Sequence, residues 1–199
     1  MRLSSLSTVL FLCVVLMRSA AAQPATAFQR EYLEDFANTS KQLVQLAEAM
    51  PADKYGWRPG AGVRSVSEVY VHIASANFLL LEITGIQPPV AYYTAVNASE
   101  KNPLMALYQQ NLRMEKSITA KDQVVKMLQE SLNAVRDQFS KLSAADLDKP
   151  ANFFGEQTTV RRVYLRIFAH ANEHMGQAIA YARINGIVPP WSRPENAGK

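Results

Sequence analysis

Apolar positions recur every three or four residues in four separate stretches of this chain, and no stretch alternates convincingly between apolar and polar as a half-buried strand would. In the first stretch Phe28, Tyr32, Phe36, Leu43, Leu46 and Met50 share one helix face, Thr26 and Gln29 have capping-box spacing, and Pro51 ends the run. The second opens with Ser65 and Glu68, another capping-box pair. It carries Val69, His72, Ile73, Ala76, Leu80 and Ile83 as far as Gly85, with Pro88 and Pro89 beyond. The third holds Val124, Leu128, Leu132, Val135, Phe139 and Leu142, with Thr119 and Asp122 as its expected start. The fourth runs from about Thr159 through Val163, Ile167, Ala171, Met175, Ala178 and Ala182 to Gly186, followed by Pro189 and Pro190. Four amphipathic helices of roughly 19 to 27 residues predict an all-α fold, a four-helix bundle.

The connections predict its wiring. About 34 residues, including Gly85, Pro88, Pro89 and Pro103, separate helices two and three, far more than a tight turn needs. A crossover of that length lets those two helices run parallel, giving an up-down-down-up bundle. The other two connections, through Pro51, Pro59 and Gly60 and through Pro150 and Gly155, are about 15 residues each and suit antiparallel neighbours. Helices two and four both end in Gly-Ile-x-Pro-Pro, at Gly85 to Pro89 and Gly186 to Pro190. The sequences before the two stops do not match, so this is shared terminator chemistry and not a duplication. Gly176, inside the fourth helix, costs about 1 kcal/mol against alanine and is expected to mark the close approach of a facing helix.

The N-terminus changes the accounting. Met1 and Arg2, the apolar run from Leu6 to Leu16, and Ala20-Ala21-Ala22 have the form of a cleaved signal peptide over residues 1–22, leaving one mature domain at 23–199. Arg18 interrupts the apolar run before it could span a bilayer. Cys13, the sole cysteine, leaves with it, so the mature protein is expected to lack disulfides, thiolate ligands and a cysteine nucleophile. The expected location is periplasmic or secreted, with no membrane association after cleavage. Loss of Arg2 and Arg18 takes the formal net charge from +4 to +2, and the remaining Lys and Arg are interspersed with acids instead of forming a basic stripe, so no nucleic-acid partner is expected.

All three histidines fall into one candidate metal-ligand set. His170 and His174, spaced i and i+4, stack on one helix face, and His72 on the second helix supplies a third imidazole. Three neutral imidazoles leave coordination positions open and the charge of a bound ion uncompensated, so a bound water is expected to acidify toward a pKa of about 7, or a bound thiol to be deprotonated. Affinity is expected to fall below about pH 6 as the imidazoles protonate. No phosphate-binding glycine loop or serine elbow is present, and no histidine is left for a triad. Glu68, Glu173 and Gln177 are the catalytic candidates. Glu68, one turn before His72, could hold that ring or act as a general base, but is also placed to cap its helix. Glu173 and Gln177 flank the metal-facing stripe, although Glu173 could equally be a solvated surface acid. Arg166 could bind an anionic group or form a structural ion pair. Tyr92 and Tyr93 could close over a site or pin the crossover, and Trp57 and Trp191 are expected to plug the bundle ends.

The stretch from Leu46 to Leu80, with Pro51, Trp57-Arg58-Pro59, Val63-Arg64-Ser65 and Val71-His72-Ile73-Ala74, resembles the first half of the DinB-like (DinB/YfiT) superfamily. His170-Ala171-Asn172-Glu173-His174-Met175-Gly176-Gln177, with Tyr181-Ala182-Arg183 and Gly186 to Pro190, resembles its final helix and exit. The resemblance covers nearly all of the mature chain. It implies a bundle in which His72, His170 and His174 hold a divalent ion, zinc or nickel, and relatives that are metal-assisted transferases or isomerases using a low-molecular-weight thiol, or hydrolases. Most such relatives act in the cytosol, whereas this chain resembles an exported branch. The expected function is that of a metal-dependent hydrolase or transferase with a small-molecule substrate; homodimers occur among relatives. The alternatives are a non-enzymatic binding protein for a metal or metal-bound ligand, and a triad that merely staples two helices.

Overall fold

A computed structural model describes residues 26–97 and 99–193 of the 199-residue chain, so the proposed signal peptide at 1–22 and Cys13 lie outside the described residues. Four long helices form the bundle: α1 (Ala27–Ala49), α2 (Val66–Ile83), α4 (Lys121–Phe139) and α6 (Val160–Ile184). Their bounds follow the apolar periodicity closely. Thr26 with Gln29 and Ser65 with Glu68 both form reciprocal capping boxes, and Thr159 caps α6 by accepting from the Arg162 amide. The two Gly-Ile stops are a matched pair of Schellman motifs. Gly85 and Gly186 take positive φ of 88° and 76°, and the amides of Ile86 and Ile187 reach back to the carbonyls of Leu81 (3.1 Å) and Ala182 (2.8 Å).

Side-chain pairings fix the helix directions. Tyr32 donates to the Tyr164 carbonyl and Thr39 to Asn172, so α1 and α6 run parallel. Phe28 meets Phe139 while Lys121 bonds the Glu48 carbonyl, so α1 and α4 are antiparallel. His72 meets His170 and the Arg64 carbonyl meets Tyr181, so α2 opposes α6. The order is up-down-down-up, as the long crossover requires. Adjacency differs from expectation. Close packing joins α2 to α4 and α6, and α1 to α4 and α6, so α1 and α2 are antiparallel across the diagonal of the bundle, as are α4 and α6. Crossing a diagonal is what the two shorter connections are long enough to do.

Three features differ from the sequence expectations. The crossover contains a helix, α3 (Pro103–Ser117), capped by Asn102 and packed on the outer side of α2. With α3, α4 and α6 around it, α2 is buried on nearly every face and is apolar enough to cross a membrane, yet it is the core helix of this fold. The third connection holds a short helix, α5 (Ala144–Leu147), and a hairpin, β1 (Pro150–Phe153) with β2 (Glu156–Thr159), antiparallel with Pro150 opposite Thr159. Phe154 and Gly155 both take positive φ at its turn, and Asn152 accepts from the Gly155 amide at 2.7 Å. Finally, α4 opens at Lys121, between Thr119 and Asp122 as expected, but its N-cap is Ala120, which offers no side-chain cap.

An aromatic core of Tyr32, Phe36, Phe139 and Tyr164 locks α1, α4 and α6 together, with Tyr32 and Phe139 centroids 4.1 Å apart and Phe139 meeting Tyr164 edge-on at 4.8 Å. Tyr93 pins the crossover by donating to Oδ1 of Asn111 at 2.6 Å, with the Ser75 carbonyl 3.1 Å from the same hydroxyl, and Tyr92 stacks on Phe78. Trp57 packs edge-on against Tyr181 at 5.3 Å.

Candidate metal centre

His72 comes from the middle of α2, and His170 and His174 from successive turns of α6. Because α2 and α6 pack side by side and antiparallel, the three rings meet with centroids 4.5–4.9 Å apart. One ligand nitrogen from each lies within 4.8 Å of the others, and Nε2 of His170 sits 3.0 Å from Nε2 of His72. Among the described residues no cysteine, aspartate, glutamate or further histidine joins this set.

Hydrogen bonds decide which nitrogen each ring turns inward. Nδ1 of His72 lies 2.7 Å from Oε1 of Glu115. An ionised carboxylate only accepts, so this Nδ1 carries the proton and Nε2 keeps its lone pair. Glu115 is itself 4% exposed in its side chain and is forked by Arg64, whose Nε and Nη2 donate at 2.7 and 3.4 Å. Burial disfavours the charged form of Glu115, but the bonds from His72 and Arg64 outweigh it and hold the carboxyl below its usual range.

His174 is set by a longer chain of contacts. The Arg64 carbonyl can only accept, so the Tyr181 hydroxyl donates to it at 3.0 Å. That hydroxyl accepts from Nε2 of Gln177 at 2.8 Å, which turns Oε1 of Gln177 toward Nδ1 of His174, also at 2.8 Å. His174 too is therefore protonated at Nδ1, with Nε2 free. His170 is the exception: the residue is 8% exposed and its Nδ1 has no partner. Burial, reinforced by the neighbouring His174 and His72, pushes its pKa down from 6.5 to about 3. Burial lowers that of His174 as well. Both rings are held in the neutral form that ligates metal.

The other candidates are placed as follows. Glu68 caps α2: its Oε2 accepts from the Ser65 amide while Oε1 accepts from Arg58 (3.0 Å) and Lys116 (2.9 Å). The Nδ1 of His72 that it was expected to hold is taken by Glu115. Burial opposes ionisation of Glu68, but Lys116, the Ser65 amide and Arg58 together bring its pKa down to about 2. Glu173 is a surface acid forked by Arg166 at 2.9 and 3.3 Å, the structural reading of both residues. Gln177 is brought to the site, on His174. Glu115 was missed because α3 was missed. Its signal was the spacing of the apolar Leu104, Leu107 and Met114 behind an Asn102-Pro103 start. Gly176 marks no close approach: a Cβ built there would meet nothing within 4 Å.

A bundle with three imidazoles gathered from two facing helices belongs to the class of helical proteins that can build a metal site in the seam between helices. The chain is a member of the DinB superfamily, whose sequence pattern matches residues 35–178. Its fold is similar to that of a DinB-like protein from Bacillus cereus ATCC 10987, with a TM-score of 0.52 and 18% identity over 81% of this chain and 95% of that one. It is also similar to an uncharacterized protein from Clostridium difficile 630, with a TM-score of 0.59 and 15% identity over 81% of this chain and 99% of that one. At these identities the likeness concerns the fold alone. No curated protein matches the chain.

Proposed function

We propose that this is an exported metal-binding protein in which His72, His170 and His174 hold one divalent ion, zinc or nickel, serving a hydrolase or transferase reaction on a small molecule. The observation behind this reading is the convergence of the three rings, two of them turned by Glu115 and Gln177 so that Nε2 is the free donor. A set of imidazoles with no thiolate suits zinc and nickel. The depressed basicity of His170 and His174 keeps two of the donors available at neutral pH. With no fourth protein ligand in the set among the described residues, positions remain for water or substrate, the pattern of a catalytic centre. A divalent ion held there supplies an acidified water or thiol at neutral pH. The chain's own contribution is to present the donors and fix their tautomers. Glu68 and Glu173 are both engaged by cations, so no proton transfer is assigned to either.

The test is chelator-free purification of the full chain from the envelope fraction, followed by elemental analysis. The expected content is about one zinc or nickel per chain, with Gln23 as the N-terminus found by mass spectrometry. A ratio near zero overturns the metal reading, and a cytosolic chain retaining residues 1–22 overturns export. Turnover of a panel of small esters and thiol acceptors should disappear with chelation and return on reloading. Turnover that survives His170→Ala would place catalysis elsewhere.

A further inference from the structure

Two of the three imidazoles trace back, by different routes, to one residue outside the ligand set. Arg64 is the last residue before the Ser65 cap of α2, in the connection from α1. Its guanidinium grips Glu115 on α3, and Glu115 takes the Nδ1 proton of His72. Its carbonyl takes the Tyr181 hydroxyl proton, which orders Gln177 and so the Nδ1 proton of His174. Every step has one allowed direction, because the chain of contacts ends on groups that only accept, a carboxylate and a backbone carbonyl. Tyr181 is 5% exposed and Glu115 3%, so water does not compete freely for these bonds.

We propose that Arg64 is the positioning residue of the site, acting through Glu115 on His72 and through Tyr181 and Gln177 on His174, so that both Nε2 lone pairs face a shared ion. This rests on the metal reading above, and it makes the crossover helix α3 part of the site instead of a spacer. His170, with no partner on Nδ1, is oriented by packing and by its Nε2, which lies 3.0 Å from Nε2 of His72.

The two arms can be cut separately with near-isosteric changes. Glu115→Gln keeps the shape but loses the charge that Arg64 and His72 share, and Tyr181→Phe removes only the hydroxyl between Arg64 and Gln177. Cobalt(II) serves as the probe, with affinity measured by competition and geometry by the visible ligand-field bands of the full chain. Each variant is expected to bind about 10- to 100-fold more weakly with shifted bands, while the metal-free melting curve stays close to wild type. Arg64→Lys, which keeps a charge but not the fork, is expected to weaken binding as well. Nitrogen-15 spectra of the histidine rings should show Nδ1–H on two rings of the metal-free wild type, losing the His72 signal in Glu115→Gln and the His174 signal in Tyr181→Phe. Failure of the wild type to take up cobalt overturns the metal reading itself. Wild-type uptake that Glu115→Gln and Tyr181→Phe leave within about twofold, with unchanged bands, overturns only the role of Arg64; should Glu115→Gln not fold, Tyr181→Phe decides alone.

Discussion

Single residues on α6 separate what a helix tolerates from what it requires. Gly176 sits between His174 and Gln177, yet its position is exposed and an added Cβ would touch nothing within 4 Å. Glycine therefore carries its helix penalty with no packing return. Gly176→Ala is expected to stabilise the fold by up to about 1 kcal/mol, through helix propensity and a less flexible unfolded chain. A rightward shift of the urea midpoint at unchanged slope would show it. A destabilised variant would mean that this backbone needs something of glycine that the geometry does not reveal. The sequence alone could not distinguish the two cases, because a glycine in a helix is the same letter whether a neighbour crowds it or not. His170 and His174 were legible for the opposite reason: i, i+4 spacing on a helix fixes a shared face regardless of context, whereas His72 joins them only through the packing of α2 on α6.

At the level of elements, caps and stops were readable because their chemistry is local, and α3 was passed over because the face it buries is largely polar, with Gln110, Asn111 and Glu115 beside Leu107 and Met114. Ser65 and Glu68 form the capping box that their spacing announces, but Glu68 also ties the connection before α2 to α3 through Arg58 and Lys116. Glu68→Gln separates the two duties, since glutamine still completes a capping box while the ion pairs are lost. The partners Arg58 and Lys116 are 39% and 67% exposed and can return to water, so the expected loss at pH 7 is modest, about 1 kcal/mol. Its pH dependence is the sharper signature. The Glu68 carboxyl titrates near pH 2 in the folded state against 4.5 ordinarily, so its contribution is complete above about pH 4.5 and is lost as pH falls toward 2. Wild type and variant should accordingly converge in stability on acidification, which denaturation curves at several pH values would check; a constant gap would leave the ion pairs without a part. The near-continuous burial of α2 was the missed sign of α3: a helix apolar all round needs cover on every side, and three partners in a four-helix square do not supply it. The hairpin left no sign at all, since two strands of four residues, one of them Glu-Gln-Thr-Thr, carry too little alternation to register.

Over the whole molecule, the site opposes the stability of the fold that holds it. Packing α2 against α6 gathers three imidazoles in the seam, and one of them, His170, has a buried nitrogen without a partner, a defect worth about 1–3 kcal/mol. Its pKa is depressed from 6.5 to about 3, so the unfolded chain takes up this proton first as pH falls, and metal-free stability should decline from about pH 6.5 toward 3. His174, also depressed, adds to the same slope. Replacing His170 by leucine removes both the orphaned nitrogen and the proton it resists. Metal-free His170→Leu is thus expected to melt with a flatter pH profile between 7 and 4 than wild type, and to gain on it most at the acid end, while taking up no cobalt. Calorimetry at matched pH values measures the difference. If His170→Leu instead tracked the wild-type profile, the buried imidazole would not be the source of acid sensitivity, and burial among three rings would have to be reckoned harmless to the fold. The outcome expected here is the reverse: a bundle that tolerates a polar cluster in its seam at a measurable loss of stability, recovered when an ion binds the folded state and not the unfolded one.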